Sequence, residues 1–127
     1  MSRVVLDASA ILAALGNEPG GETILRHIRD SAVSTVNLAE VKSKLVERGF
    51  PPADAWDAAN SFSRTAFDFD PEQASVVGDL VPSTRPLGLT LGDRACLALG
   101  ILLKAPVYTA DRNWAKLKLD VDIHIIR

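Results

Sequence analysis

The stretch VVLDASAILAAL, residues 4–15, joins a short apolar run to a helical segment through one acidic residue. Residues 4–6 have the β-branched and aliphatic side chains of a buried strand. Residues 8–15 carry apolar side chains at helical spacing, and Gly16 provides a helix end. Asp7 therefore stands at the carboxyl end of a predicted strand, where the pattern favours a buried position.

The alternation of strand and helix continues along the whole chain. The predicted strands are 3–6, 32–36, 66–70, 106–110 and 123–126. The predicted helices are 9–15, 22–30, 38–48, 53–63, 71–80 and 91–103, with a helical turn at 112–117 and a proline-containing loop at 81–90. This order predicts an α/β fold, a three-layer α/β/α sandwich with a central, mainly parallel sheet. A length of 127 residues fits one domain spanning 1–127.

The composition is that of an ordinary globular protein. Hydrophobic residues make up 47% of the chain, and 16 acidic against 14 basic residues leave a net charge of −2. The chain as a whole has no basic excess, so nucleic-acid binding would need a local basic patch. The single cysteine excludes an internal disulfide. With no signal-peptide pattern and no apolar run of about 20 residues, we expect a cytoplasmic location and no membrane contact.

Four acidic residues are predicted to lie at one edge of the sheet. Asp7 and Asp111 directly follow predicted strands, whereas Glu40 and Asp93 open predicted helices. In parallel sheets, ligands bind beyond the carboxyl ends of the strands. Each acid also has a structural interpretation. Asp7 and Asp111 suit helix N-caps, and two pairs have capping-box spacing: Asn37 with Glu40, and Thr90 with Asp93.

The joint arrangement is more informative than any single acid. Two unit charges about 5 Å apart repel by roughly 3–4 kcal/mol at an effective dielectric near 20. A helix cap stabilises by only about 1 kcal/mol, which does not offset several such pairs. Convergence of four carboxylates therefore favours a bound hard cation, Mg²⁺ or Mn²⁺.

Four segments in this order resemble the PIN domain, and most closely the VapC-type toxins of bacterial and archaeal toxin–antitoxin modules. They are VVLDASAIL (4–12), NLAEV (37–41), LTLGDRACLALG (89–100) and PVYTADRNW (106–114). The resemblance extends over essentially the whole chain. It implies a Mg²⁺- or Mn²⁺-dependent endoribonuclease that cuts structured RNA, such as tRNA or an rRNA loop, and so inhibits translation. It also implies a homodimer that a cognate antitoxin protein holds inactive.

The resemblance assigns roles to particular residues. Asp7, Glu40, Asp93 and Asp111 match the family's acidic quartet; the three aspartates are expected to bind the metal, and Glu40 to bind it directly or through water. The family's small hydroxyl residues are matched by Ser9 and Thr109, which we expect to hydrogen-bond the carboxylates or metal-bound waters. Basic residues near the motifs are expected to hold flanking RNA phosphates: Arg94, Arg112, Lys116 and Lys42.

Two other functions share features with this sequence. A phosphoacceptor receiver domain has similar length and sheet, but it needs adjacent acids after the first strand and a lysine where this chain has Asp111. A catalytically silent scaffold that binds a partner stays open. His27 and His124 are expected to be surface or hydrogen-bonded residues. Trp114 is interpreted as a packing residue, with base stacking beside Asp111 as the alternative.

Overall fold

The computed structural model describes residues 3–62 and 64–127. Met1, Ser2 and the predicted helix end at Ser63 lie outside the described residues. The described part contains one five-stranded sheet in the order β3-β2-β1-β4-β5, with every pairing parallel. The strands are β1 Val4–Leu6, β2 Ser31–Ser34, β3 Thr65–Phe67, β4 Val107–Thr109 and β5 Ile123–Ile125. Their carboxyl ends therefore share one edge, as predicted.

Helices cover both faces of this sheet, which confirms the three-layer α/β fold. They are α1 Ala8–Leu15, α2 Gly21–Arg26, α3 Thr35–Glu47, α4 Pro52–Phe62, α5 Pro71–Asp79, α6 Val81–Thr84 and α7 Leu91–Leu103. Short 3₁₀ helices occur at Ile28–Asp30, Arg85–Leu87 and Arg112–Lys116. The longest helices, α3 and α7, have 13 residues each. Across residues 3–62 and 64–127, none of them is long and apolar enough to cross a membrane.

Successive side chains of β1 point to opposite faces of the sheet and pack in two separate core clusters. Val4 and Leu6 pack in a cluster with α1, α3 and α4, whereas Val5 packs in a second cluster with α5 and α7. A strand buried on both faces is typical of parallel sheets covered by helices. Asp7 continues this buried strand, so the backbone carries its side chain to the sheet edge in a fixed direction.

The prediction of a loop at residues 81–90 is wrong for most of that segment. Residues Val81–Thr84 form α6, and Arg85–Leu87 continue as a 3₁₀ turn. Pro82 is compatible with this because it lies in the first helical turn, where no amide donor is needed. The Thr84 hydroxyl, buried in this turn, donates to the Leu80 carbonyl at 2.8 Å.

Several predicted boundaries differ in the structure, and for α3 the cause is a helix cap earlier than predicted. Helix α3 begins at Thr35, since Ser34 accepts the Val36 amide at 3.2 Å, so residues 35–36 are helical and not part of the strand. Strand β3 ends at Phe67, and Asp70 caps α5 by accepting the Gln73 amide at 2.9 Å. The predicted helix 22–30 is divided into α2 and the 3₁₀ turn that follows it.

We predict that Gly100→Ala destabilises the fold because a Cβ at this position of α7 would overlap the Val107 side chain on β4. Overpacking of this kind costs about 1–3 kcal/mol. Gly78→Ala in α5 is the matched control, since its Cβ would meet nothing within 4 Å. The control is expected to be neutral or stabilising by up to about 1 kcal/mol. Urea denaturation of both variants measures this, and equal stabilities would contradict the packing.

Candidate active site

The Asp7 side chain is buried at the sheet edge and does not cap the helix that follows it. Asp7 occupies the N-cap position of α1, yet its carboxylate makes no bond to the helix backbone. Its Oδ2 atom instead accepts hydrogen bonds from Ser9 Oγ at 2.6 Å and Thr109 Oγ1 at 2.9 Å. The capping interpretation of this side chain is therefore wrong. The carboxylate connects the carboxyl ends of β1 and β4.

The two hydroxyls that hold Asp7 also fix the segment leading to Asp111. Ser9 Oγ and Thr109 Oγ1 lie 3.1 Å apart. Ser9 Oγ accepts the Ala110 amide at 2.9 Å, and Thr109 Oγ1 accepts the Asp111 amide at 3.1 Å. The Asp111 carboxylate itself accepts the Asn113 amide at 3.0 Å, which confirms its predicted capping role. Thus Asp111 is joined to Asp7 through the hydroxyl of Thr109.

Glu40 lies against the first turn of α7. The buried amide of Asn37 donates through Nδ2 to Glu40 Oε1 at 2.7 Å and to the Gly92 carbonyl at 3.0 Å. Asn37 is inside α3, and Ser34 is the N-cap, so the predicted capping box of Asn37 and Glu40 is wrong. The same N-x-x-E spacing instead orients a catalytic candidate and fastens α3 to α7.

Asp93 has both of the roles that its sequence position allows: it belongs to a capping box, and its carboxylate belongs to the acidic group. The Thr90 amide donates to Asp93 Oδ2 at 2.9 Å, and the Asp93 amide donates to Thr90 Oγ1 at 3.3 Å. This is the predicted capping box, and it fixes the carboxylate at the start of α7. The negative charge of Asp93 nevertheless acts on both Asp7 and Glu40.

Burial and mutual repulsion place Asp7, Glu40 and Asp93 in one electrostatic group. Burial raises the pKa of Asp7 from 3.8 to about 6; the hydrogen bonds from Ser9 and Thr109 oppose this rise, and the charges of Asp93 and Glu40 add to it. Burial also raises the pKa of Glu40; the bond from Asn37 opposes this, and the charge of Asp93 adds to it. Three of the four predicted acids therefore influence one another directly.

The donor set suits a hydrated hard cation better than a preformed cage. Among the described side chains, no group of three or more His, Cys, Asp or Glu is placed to hold a metal ion by itself. Within residues 3–62 and 64–127, Asp7 Oδ1 accepts no hydrogen bond, and Asp7, Glu40 and Asp93 form no ion pair. Mg²⁺ is commonly held by one or two carboxylates and several waters. These residues fit that pattern.

None of the four predicted RNA-binding cations forms an ion pair with an acidic side chain in the described part of the chain. Arg94 Nη1 donates to the Val77 carbonyl at 3.4 Å, and Arg112 Nε donates to the Arg127 carbonyl at 3.0 Å. Lys42 is partly buried on α3, and Lys116 is exposed at the end of the last 3₁₀ helix. Their contact with RNA stays a prediction.

The interpretation of Trp114 as a packing residue is confirmed, because its side chain is fully buried in the core against α7. The alternative, base stacking beside Asp111, is therefore wrong. His27 and His124 flank Tyr108, with ring-centroid distances of 4.9 and 4.6 Å. Their side chains are 31% and 46% exposed, in agreement with their predicted surface position.

Two residues that shape the site, Asn37 and Gly92, were not predicted as functional. A Cβ at position 92 would overlap the Glu40 carboxylate, so glycine leaves the space that Glu40 occupies. Glycine lowers helix stability by about 1 kcal/mol relative to alanine. A glycine in a first helical turn therefore indicates that another group lies too close for a side chain. That signal was present in TLGD beside Asp93, but its partner Glu40 is 52 positions away in the sequence.

Comparison with known proteins gives a consistent result. The profile of the PIN domain family matches residues 4–119. DNA-bound VapBC from Salmonella typhimurium gives a TM-score of 0.75 at 16% identity, covering 100% of both chains. VapBC2 from Rickettsia felis bound to a promoter DNA fragment gives 0.72 at 17%, covering 98% of both chains. VapBC-5 from Mycobacterium tuberculosis gives 0.62 at 20%, covering 100% of this chain and 99% of the other. No curated protein sequence matches significantly.

We predict that Asp7→Asn stabilises the metal-free protein at pH 7. The Asp7 proton leaves the unfolded chain near pH 3.8 but the folded chain near pH 6. Ionisation across this window therefore costs the folded state up to about 3 kcal/mol, a cost that asparagine avoids. The difference between variant and wild type should grow as the pH rises from 4 to 7. Chemical denaturation in EDTA measures it, and a pH-independent difference would contradict the burial of the charge.

We also predict that the effect of Gly92→Ala depends on Glu40. In the wild-type background the new methyl group should displace Glu40 and break its bond to Asn37, a loss of about 1 kcal/mol that cancels the similar gain from replacing a helical glycine by alanine. In a Glu40→Ala background only the gain remains, so the same substitution should raise the unfolding free energy by up to about 1 kcal/mol. A double-mutant cycle by urea denaturation tests this, and additive effects would refute the contact.

Proposed function

The chain belongs to the PIN domain family, and we propose that it is a metal-dependent endoribonuclease acting as the toxin of a toxin–antitoxin module. The observation that carries the proposal is the buried Asp7 carboxylate, which shares its edge of the sheet with the interacting charges of Glu40 and Asp93. These charges lie at the edge where parallel sheets bind their ligands. A purely structural role would not favour this accumulation, because it costs stability.

In this proposal, Asp7, Asp93 and Asp111 hold Mg²⁺ or Mn²⁺, and Glu40 binds it directly or through water. When bound, such an ion supplies an activated water and stabilises negative charge on the phosphate. The side chains of the protein hold and orient the reacting groups. Ser9 and Thr109 donate hydrogen bonds only to Oδ2 of Asp7 and so fix the orientation of the carboxylate. Oδ1 is then available to bind the ion.

Glu40 has the complementary task of positioning the attacking water. Its Oε1 atom is held by Asn37, and Gly92 allows its carboxylate to lie against the α7 turn that carries Asp93. Its raised pKa favours proton acceptance closer to neutral pH than an ordinary glutamate. We therefore assign Glu40 the role of orienting the nucleophile and accepting its proton.

The proposed substrate is a structured RNA, such as tRNA or rRNA, whose cleavage in the cytoplasm would inhibit translation. Arg94, Arg112, Lys116 and Lys42 would bind the flanking phosphates, since the acidic edge alone repels RNA. The fold similarity to VapBC structures supports an antitoxin partner, and the structure from Klebsiella pneumoniae is described as a toxin–antitoxin complex. We propose that the active form is a homodimer and that the antitoxin covers the acidic edge.

We predict that the purified protein, free of antitoxin, cleaves a structured RNA with Mg²⁺ or Mn²⁺ and stops when EDTA is added. Asp7→Asn and Asp93→Asn should each lower cleavage by at least about 100-fold, because each removes a carboxylate of the proposed metal site. Asp79→Asn on α5, an exposed acid, is the control and should retain wild-type activity. Gel assays of end-labelled RNA give the rates.

The folded state of each variant must be checked by circular dichroism. Full cleavage by folded Asp7→Asn and Asp93→Asn would refute the mechanism. If the wild type cleaves no RNA and binds no Mn²⁺ by calorimetry, the alternative of a silent scaffold that binds a partner gains support. The receiver-domain alternative is not favoured, because the family profile covers nearly the whole chain.

A further inference from the structure

We propose that a small cavity beside α7 binds a backbone phosphate of the RNA strand next to the cleavage site. The cavity has a volume of about 230 Å³ and is lined by Val81, Thr84, Arg85, Gly88, Leu89 and Arg94. This inference rests on the proposed ribonuclease function and adds the place where the RNA substrate is held. It also adds Arg85, which the sequence did not mark, and gives Arg94 a defined position.

Two guanidinium groups line this cavity without a carboxylate partner. Neither Arg85 nor Arg94 forms an ion pair within the described ranges. Arg94 uses one of its five N–H donors for a long bond to the Val77 carbonyl, at 3.4 Å. Most donors of the pair are therefore available to an anion. Planar guanidinium groups match the geometry of phosphate oxygens, which they bind through paired hydrogen bonds.

The wall of the cavity is already formed by hydrogen bonds in the protein alone. Thr84, whose side chain is 1% exposed, accepts the Leu89 amide through its carbonyl at 3.3 Å. Gly88 adopts a left-handed conformation with φ of +70° and donates its amide to the Arg85 carbonyl at 2.9 Å. Because this turn is fixed, an anion would bind without first ordering it.

The cavity is attached to two segments of the acidic site. Arg94 directly follows Asp93 in the first turn of α7. On the other side, the Leu87 carbonyl accepts the Asn113 side-chain amide at 2.9 Å, two residues after Asp111. The turn between α6 and α7 therefore adjoins both Asp93 and Asp111. These two connections are the basis for assigning a phosphate in the cavity to the strand that enters the acidic edge.

The charge distribution explains why such a subsite is needed. The net charge is −2, and three carboxylates interact at the proposed centre, so RNA must be held by local cations. A cation that neutralises one phosphate contributes both to affinity and to its dependence on salt. The paired arginines supply this positive charge outside the carboxylate group, where they do not neutralise the metal ligands.

The test is binding of a fluorescein-labelled structured RNA in EDTA, where cleavage is absent, at salt concentrations from 50 to 200 mM. Arg85→Ala and Arg94→Ala should each weaken binding by about tenfold at low salt and reduce the salt slope by about one. Arg94→Lys should recover part of the affinity, since it keeps the charge but loses the planar donors. Arg29→Ala, an exposed arginine outside the cavity, is the matched control and should bind normally.

The outcomes separate this inference from the proposed function. If the wild type binds and cuts RNA while Arg85→Ala and Arg94→Ala bind as tightly as the control, the phosphate subsite is refuted and the nuclease stands. If the wild type binds no RNA, the proposed function itself fails, and the subsite with it. If inorganic phosphate stabilises the wild type but not the variants, and RNA affinity is unchanged in them, the cavity serves free phosphate and the RNA assignment is overturned.

Discussion

Burial of the Asp7 carboxylate is the constraint on which the rest of the site depends. Asp7 extends a strand that is buried on both faces, so its side chain cannot turn towards water without disturbing β1. The fold accommodates the carboxylate with two hydroxyls and raises its pKa. Because Thr109 ends the neighbouring strand β4, this one carboxylate also fixes where the segment carrying Asp111 leaves the sheet.

The remaining acids show that capping and function are not exclusive roles. Asp93 caps α7 and also repels Asp7, whereas Asp7 holds a cap position and caps nothing. A cap fixes a carboxylate at the start of a helix, which is also where the helix dipole stabilises negative charge. The dipole of α7 thus supports one member of a group whose members repel each other. The capping box thus serves the fold and also holds this carboxylate within the acidic group.

The sequence predicted the parallel α/β fold, because strands buried on both faces and helices with regular periodicity carry strong local signals. It also predicted that Asp7, Glu40 and Asp93, whose charges act on one another, lie at the sheet edge, whereas the charge of Asp111 is not among those acting on Asp7 or Glu40. Errors arose where a decisive contact joins distant segments. Asn37 and Glu40 have capping-box spacing, and only the approach of Gly92 in α7 explains why the asparagine bonds to both. The sequence predicts a loop at 81–90 because proline in the first turn of a helix resembles a loop signal.

Charge is arranged in two zones around the proposed centre. The inner zone of Asp7, Glu40 and Asp93 forms no ion pair among the described residues, although the charge of Lys44 acts on Glu40. In the proposed function, a bound metal ion supplies the main counter-charge there. An arginine placed within this zone would compete with that ion for the carboxylates. Arg85 and Arg94 instead line a separate cavity beside α7. The first turn of α7 separates a region suited to a metal ion from one suited to a phosphate, although Asp93 and Arg94 are adjacent in the chain.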